Sequence, residues 1–323
     1  MAKTKTLVTE YRNYYLPLHF PALLLSGDHW KISDVPSERQ HFHNCLEIGV
    51  CHSGSGFLEI SGTPYPFQEG DITAIPQNIP HTTYSSPGTE SHWSYIYMNP
   101  RELFKGMLPS SWQTPDLSGY SAKDYKLLFH KEESMYLYHL ALSAIQELEE
   151  QRPSYQLSSK GLLLALYVEL YRIGINEKPN GAYLKKETTD TNRELESPLS
   201  IAPALNYIEN NYAQHFTIED LAALCHWSPT HFRRVFNSIM NTSPLDFVNN
   251  TRITKACMML RTTEDSILNI SENVGFRSIS SFNRYFIKKM QMSPRDYRKQ
   301  MKHSDLRVDA PIIREYSGWM FPE

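Results

Sequence analysis

Residues 216–297 carry one helix-turn-helix pattern written twice. The first copy reads FTIEDLAALCHWSPTHFRRVFNSIMNTSPLDF and the second DSILNISENVGFRSISSFNRYFIKKMQMSPRDY. Ile218, Leu221 and Cys225 recur 49 residues on as Ile267, Ile270 and Val274. Phe232, Arg234, Phe236, Ser243, Pro244 and Phe247 recur 50 residues on as Phe282, Arg284, Phe286, Ser293, Pro294 and Tyr297. Self-similarity of this kind marks two copies of one supersecondary unit. Each unit offers one helix to a DNA major groove, so two in one chain predict a protein that reads two adjacent groove segments without needing a partner.

The charge distribution agrees, although the total does not. A net charge of −3 alone argues against a polyanionic partner. Residues 198–303 hold thirteen Lys or Arg against eight Asp or Glu, a surplus of five that leaves −8 on the remainder. A basic module joined to an acidic one predicts phosphate contact by the first and another task for the second. At 323 residues there is room for two cores, and 41% hydrophobic with 21% charged residues is ordinary globular composition. No run approaches the ~20 apolar residues of a membrane span. The opening MAKTKTLVTEYRNYY has no apolar run after its lysines, so no secretory signal is read and the cytoplasm is the expected compartment. Cys45, Cys51, Cys225 and Cys257 form no CxxC pair and read as free thiols.

Helix punctuation fits the repeat. Thr217 with Asp220 three residues on predicts a capping box, and Ser228-Pro229, Ser243-Pro244 and Ser293-Pro294 each place a capping Ser before a Pro at the first helical position. Gly275 falls at the second turn, where a left-handed backbone costs Gly least; the matching residue in the first unit is His226. Phe232, Val235 and Phe236 in one recognition helix, and Phe282, Tyr285 and Phe286 in the other, are the expected buried stripe. The remaining surface carries Thr230, His231, Arg233, Arg234 and Asn237 in the first helix. In the second it carries Ser280, Ser281, Asn283, Arg284 and Lys288. Arg pairs bidentately with guanine, Ser, Thr and Asn bond several base edges, and Lys contacts phosphate. A solvated helix face explains either set alone; two matched sets in a basic segment favour DNA.

The first hundred residues are strand-like. Leu46–Val50, Gly56–Ile60, Ile72–Ile75 and Trp93–Met98 are β-rich runs broken by Gly, Pro and Asn, which predict an antiparallel barrel or jelly roll. Helical spacing follows in Tyr138, Ala141, Leu142, Ile145 and Leu148, and again in Leu163, Leu166, Tyr167, Leu170 and Ile173. Within the strand-like part, alternation puts His41, His43, Cys45 and Glu47 on one face, and His81 joins them from another strand. Three imidazoles and a carboxylate suit a divalent transition metal. The same groups suit hydrogen bonds to a small effector with Trp93, Tyr95 or Tyr97 stacking on it. Effector contact by His41, His43, Glu47, His81, Trp93 and Tyr95 is the preferred reading, with no cofactor required.

Residues 201–300 resemble the DNA-binding domain of the AraC/XylS transcription regulators, most densely in ISENVGFRSISSFNRYFIKKMQMSPRDYR and in the joining segment RITKACMMLRTT. HxHxxxE over His41–Glu47 with Gly54, then Gly70 and PQNIPH ending at His81, resembles the two cupin motifs. The resemblance implies a two-domain α+β chain. A cupin-like sensor occupies 1–120, a helical dimerising segment 121–173 and a polar linker 174–197. An all-α DNA-binding domain fills 198–303, with helix-turn-helix units at about 217–240 and 266–290; the tail 304–323 has no assigned role. It implies seven helices in the DNA-binding part and recognition helices about one DNA turn apart. By position, base-edge contacts fall to Thr230, Arg233 and Arg234, then to Ile279, Ser280, Ser281 and Arg284. It further implies a homodimer, not an enzyme and with no membrane partner, that activates transcription with RNA polymerase in response to a small effector, carbohydrate preferred. A metal-binding cupin enzyme or metal sensor fused to a DNA-binding domain, and an effector-independent regulator, are the alternatives.

Overall fold

Gly56–Ile60 alternates buried with half-buried residues, the period of two expected of a strand with one covered face. Ala22–Leu25 and Ile72–Ile75 are buried throughout, so both of their faces are covered. The computed structural model describes residues 8–14, 16–17, 20–28, 30–37, 39–60, 62–107, 126–176, 198–301 and 312–313. The chain divides into two units, 1–188 with 310–323, and 189–309.

The first unit holds two sheets. One runs in the order β1 (Val8–Arg12), β4 (Arg39–His43), β9 (His81–Ser85), β6 (Gly56–Ile60), β7 (Thr63–Phe67). The other runs β11 (Leu128–Phe129), β8 (Ile72–Ile75), β5 (Leu46–Ser53), β10 (Ser91–Met98), β2 (Ala22–Leu25), β12 (Ile312–Ile313), with β3 (Lys31–Ile32) also on β10. Pairing is antiparallel except for β1 on β4 and β12 on β2. Inner faces meet where Phe67 of one sheet packs edge-on to Trp93 of the other at 4.8 Å between centroids. Each large ring buried there contributes about 1.5–3 kcal/mol.

After α1 (Pro100–Leu103) come α2 (Met135–Glu150) and α3 (Tyr155–Asn176). Helix α2 is tied to the second sheet by side chains: Ser26 donates to the Glu149 carboxylate, Ser94 Oγ donates to Ser26 Oγ at 3.2 Å, and His52 Nε2 lies 2.7 Å from Ser94 Oγ. Its buried stripe is Leu137, Ala141, Ala144, Ile145 and Leu148. That is rotated from the expected one, because Tyr138 is only half-buried and its ring takes the Lys131 ammonium at 4.5 Å. Helix α3 continues through Asn176, so residues 174–176 of the expected linker are helical; the rest of that linker, 177–197, lies outside the described residues. Within the tail, Ile312 and Ile313 pair with Leu24 and Leu25 of β2.

The second unit contains seven described helices: α4 (Pro198–Asn211), α5 (Ile218–Leu224), α6 (Pro229–Met240), α7 (Pro244–Thr262), α8 (Ile267–Asn273), α9 (Ile279–Met290) and α10 (Pro294–Met301). Helices α5–α6 and α8–α9 are the two helix-turn-helix units, and the long α7 packs against helices of both. Thr217 and Asp220 form the capping box, and Ser228, Ser243, Ser266 and Ser278 each accept an amide hydrogen bond as N-caps. Phe232, Val235 and Phe236 are buried in the first unit, as are Phe282 and Phe286 in the second. Tyr285 is half-buried at the edge of a cluster that includes Ile253, Leu260, Ile270, Val274 and Phe276. Among the described residues, no helix is long and apolar enough to cross a membrane.

Candidate functional site

Burying the Phe stripe fixes which side of each recognition helix faces out. On α6, Thr230, Arg233, Arg234 and Asn237 are exposed; on α9, Ser280, Arg284 and Lys288 are. Thr230, Arg234 and Asn237 stand at i, i+4 and i+7, and Ser280, Arg284 and Lys288 at i, i+4 and i+8, so each set runs along one helix face. Other expected members are partly engaged. His231 is half-buried with its ring edge-on to Trp227 at 4.8 Å, and its Nδ1 lies 3.5 Å from Arg234 Nη2. Arg233 Nη2 donates to Glu219 of α5 at 3.3 Å, an exposed pair weak enough to exchange for a phosphate. Ser281 and Asn283 are half-buried, and Ser281 Oγ accepts from the cap hydroxyl of Ser278 at 3.1 Å. Ile279, also expected from the resemblance, is half-buried against the second unit's core. The position matching Asn237 is Ile287, an exposed apolar residue that the sequence reading passed over.

Charge counting overstated the supply of cations. Arg252 donates to the carbonyls of Tyr212 and Gln214 at 2.8 and 3.0 Å, and its guanidinium lies 5.9 and 5.8 Å from the Phe216 and Phe276 rings. Burial lowers its pKa. Lys255 pairs with Glu209 at 2.8 Å, Lys289 donates to Asn250 O and Thr254 Oγ1 at 3.2 Å each, and Arg298 donates to Asp265 O at 2.6 Å. These four basic residues hold helices together.

In the first unit, β4 supplies His41 and His43, β5 supplies Glu47, and β9 supplies His81, which pairs directly with His41 across the strands. A bend at Asn44–Cys45 separates β4 from β5 and brings Glu47 of the second sheet against the imidazoles of the first. The candidate ligand atoms of all four lie within 4.8 Å of one another. Ring centroids are 4.2 Å apart for His41–His81 and 5.0 Å for His43–His81. His43 Nε2 is 3.2 Å from Glu47 Oε2, and His81 Nε2 is 3.5 Å from Glu47 Oε1. On the opposite side of each ring, His43 Nδ1 lies 2.9 Å from Cys45 O and His81 Nδ1 lies 2.9 Å from Ile79 O. Burial pushes the Glu47 carboxyl up, but the His81 and His43 imidazoles outweigh it and hold the group well below the usual carboxylate range. Burial and the neighbouring His81 push His41 well below the ordinary histidine value, and burial lowers His43 as well.

Aromatic rings extend from this cluster along β10. Tyr97 stands opposite Glu47, Tyr95 opposite Gly49 and Trp93 opposite Cys51. A Cβ on Gly49 would come within 2.4 Å of Thr73 Oγ1 and 3.0 Å of the Tyr95 ring, so only glycine leaves space for that ring. Trp93, expected as a stacking contact, is fully buried in an apolar cluster with Cys51, Phe67 and Leu128 and is two alternations away from the histidines. Tyr97 is the ring beside the cluster, 5.6 Å from His43. Tyr14 stacks on it at 3.9 Å, donates its hydroxyl to Tyr97 Oη at 3.1 Å, and is held by a reciprocal pair of hydrogen bonds with Asn44. Arg12 lies opposite His43 in the β1–β4 register. The sequence reading missed Arg12, Tyr14 and Asn44. Alternation along β10 identifies Tyr97, whereas no local pattern announces a parallel pairing between β1 and β4.

A sheet-rich sensor-type unit and a helical unit bearing two helix-turn-helix motifs define a DNA-binding transcription regulator with a ligand-binding domain. Comparison with known proteins gives the family. Residues 34–167 match the family model of the AraC-like ligand binding domain, and residues 221–300 match that of a helix-turn-helix domain. The chain is 26% identical over 267 residues to the melibiose operon regulatory protein of Escherichia coli, covering 80% of this chain and 83% of that one. It is 24% identical over 260 residues to the HTH-type transcriptional regulator YdeC of Bacillus subtilis, covering 80% and 85%. Among solved structures, ToxT from Vibrio cholerae aligns over 88% of this chain and 98% of its own, at 14% identity and a TM-score of 0.34. The chain belongs to the AraC family of HTH-type transcriptional regulators.

Proposed function

We propose that α6 and α9 enter adjacent major-groove segments and that the first helix discriminates sequence more than the second. The observation that carries this is the equivalent exposed polar face on both helices, opposite buried Phe pairs. Thr230, Arg234 and Asn237 contact base edges, with Arg233 and His231 beside them; Arg233 leaves Glu219 for the DNA. Ser280, Ser281, Asn283 and Arg284 dock the second helix, and Lys288 contacts phosphate. Selection of operators from randomised DNA by the wild type and by Arg234→Ala with Arg284→Ala tests the assignment. Loss of preference at the block of base pairs under α6, with weaker binding to all sequences, is expected; an unchanged preference sinks the assignment.

The same reading makes the protein a cytoplasmic homodimer that activates transcription with RNA polymerase when a sugar-like effector occupies the sheet domain. What supports the effector class is an interior that combines Tyr95 and Tyr97 rings with buried hydrogen-bonding groups, together with a relative whose name ties it to the melibiose operon. A thermal-shift panel of sugars and organic acids tests it. A rise of several degrees for one sugar is expected, a rise confined to acids overturns the class, and no response to any member favours an effector-independent regulator.

A further inference from the structure

We infer that Ile287 of α9 is a specificity-determining residue that reads the C5 methyl of thymine in the major groove. This rests on the reading that α9 enters that groove, and it adds one discriminating contact to a helix whose other exposed residues serve mainly to dock it.

The repeat sets the position. Thr230, Arg233, Arg234 and Asn237 of α6 stand at i, i+3, i+4 and i+7, and Ser280, Asn283, Arg284 and Ile287 of α9 match them residue for residue. Recognition helices lying in the major groove present base contacts at that spacing. Seven residues of helix rise about 10.5 Å, which spans roughly three base pairs. At about 100° per residue, Ile287 falls about 20° from Ser280 round the helix, whereas the buried Phe282 lies about 140° from Ile287. The apolar side chains of α9 in the core are Phe282 and Phe286, with Ile279, Tyr285 and Met290 packed against it. Ile287 points the other way and is 47% exposed, beside the exposed Arg284 and Lys288.

Chemistry then narrows the target. An isoleucine side chain has neither donor nor acceptor, so it gains only by removing apolar surface from water. The apolar group on the base edges of the major groove is the thymine methyl. At the matching position of α6, the Asn237 amide can pair bidentately with adenine. One position of the duplicated helix thus reads a donor–acceptor pattern in the first unit and a methyl in the second. A protein surface would also cover an exposed isoleucine. DNA is favoured because the exposed neighbours on the same face, Ser280, Arg284 and Lys288, suit base edges and phosphates.

The test uses the full-length protein and the operator that the wild type selects from randomised DNA. Each thymine of that duplex is replaced in turn by deoxyuracil, which removes only the methyl. At one thymine the replacement is expected to weaken the wild type about four-fold, the effect of one buried methyl, and to leave Ile287→Ala unaffected. Ile287→Val is expected to keep the penalty, and Ile287→Asn to shift the base selected at that position. Ile287 is exposed, so each variant is expected to keep the wild-type unfolding midpoint. Equal penalties in the wild type and Ile287→Ala at every thymine overturn the inference. So does an Ile287→Ala protein that reads the operator as the wild type does but sediments at a smaller mass, which assigns the residue to a protein contact. Arg284→Ala separates the two ways to fail. If it binds the operator as tightly as the wild type, α9 is not on the DNA and the reading beneath the inference falls. If it binds more weakly while Ile287→Ala keeps every penalty, only the methyl contact falls.

Discussion

At the turn of the first helix-turn-helix unit stands His226 with φ 57°; at the turn of the second stands Gly275 with φ 92°. Both backbones are left-handed, so the turn geometry is shared although the residue is not. The difference lies in what surrounds them. His226 is exposed, whereas a Cβ on Gly275 would come within 2.7 Å of the Ala213 carbonyl oxygen at the end of α4. One turn tolerates a side chain at some conformational cost, and the other has no space for one. The reading faces diverge similarly: Asn237 of α6 is replaced by exposed Ile287 on α9, and Arg233 of α6, which bonds Glu219, by the half-buried Asn283. A duplicated scaffold thus keeps its core and its turns while its surfaces specialise.

If the cores are equivalent, deleting matched rings has matched effects. Phe232→Ala and Phe282→Ala remove fully buried side chains, and each is expected to lower stability by about 3–5 kcal/mol in urea unfolding of the helical unit. A cost below about 1 kcal/mol at either site denies it the core role of its counterpart. The turns are the place to separate the units. Gly275→Ala combines an unfavourable φ with a backbone clash and is expected to cost about 2–4 kcal/mol. His226→Ala changes only an exposed side chain and is expected to stay within about 1 kcal/mol of the wild type. Equal losses in the two variants dissolve the distinction.

The turn shows how far the sequence can be read. Periodicity located α6 and α9 because their Phe pairs recur at fixed offsets, and Ser-Pro pairs located helix starts because capping is a local interaction. The conformation at His226 needed the structure, since many residues reach that φ when tertiary contacts impose it. In the first unit, the HxHxxxE spacing and His81 were legible as a cluster through alternation alone. Tyr14 and Arg12 were not, because their place beside His43 follows from a parallel pairing between distant segments, which no local pattern encodes. Nor does a count of cations reveal that Arg252, Lys255, Lys289 and Arg298 are bound to carbonyls, a hydroxyl and a carboxylate within the fold.

Under the proposed division of labour, Arg234→Ala costs about 1–3 kcal/mol on the preferred operator and relaxes selectivity at one base pair. Arg284→Ala lowers affinity for all sequences alike and makes the dependence on salt shallower. Titrations against matched and mismatched duplexes at several salt concentrations separate the two outcomes. Reversed behaviour assigns discrimination to the second unit.

The smallest expected difference lies at the first turns of α5 and α8. Thr217 and Asp220 bond reciprocally, with Thr217 N to Asp220 Oδ2 at 2.8 Å and Asp220 N to Thr217 Oγ1 at 3.1 Å. In α8, Ser266 Oγ accepts from Asn269 N at 3.0 Å, and the residue three beyond the cap is an uncharged Asn. Thr217→Ala and Ser266→Ala are each expected to cost about 1 kcal/mol. Only the first cap responds to pH. The Thr217 amide, then its hydroxyl, hold the Asp220 carboxyl below the ordinary Asp value. A depressed folded pKa stabilises the fold above the unfolded value of about 3.9 and loses that contribution as pH falls through the folded value. The stability gap between wild type and Asp220→Asn is therefore expected to be full at pH 5 and to narrow towards pH 3. A gap that stays constant over that range makes the cap a neutral hydrogen bond and leaves α5 and α8 equivalent at their starts.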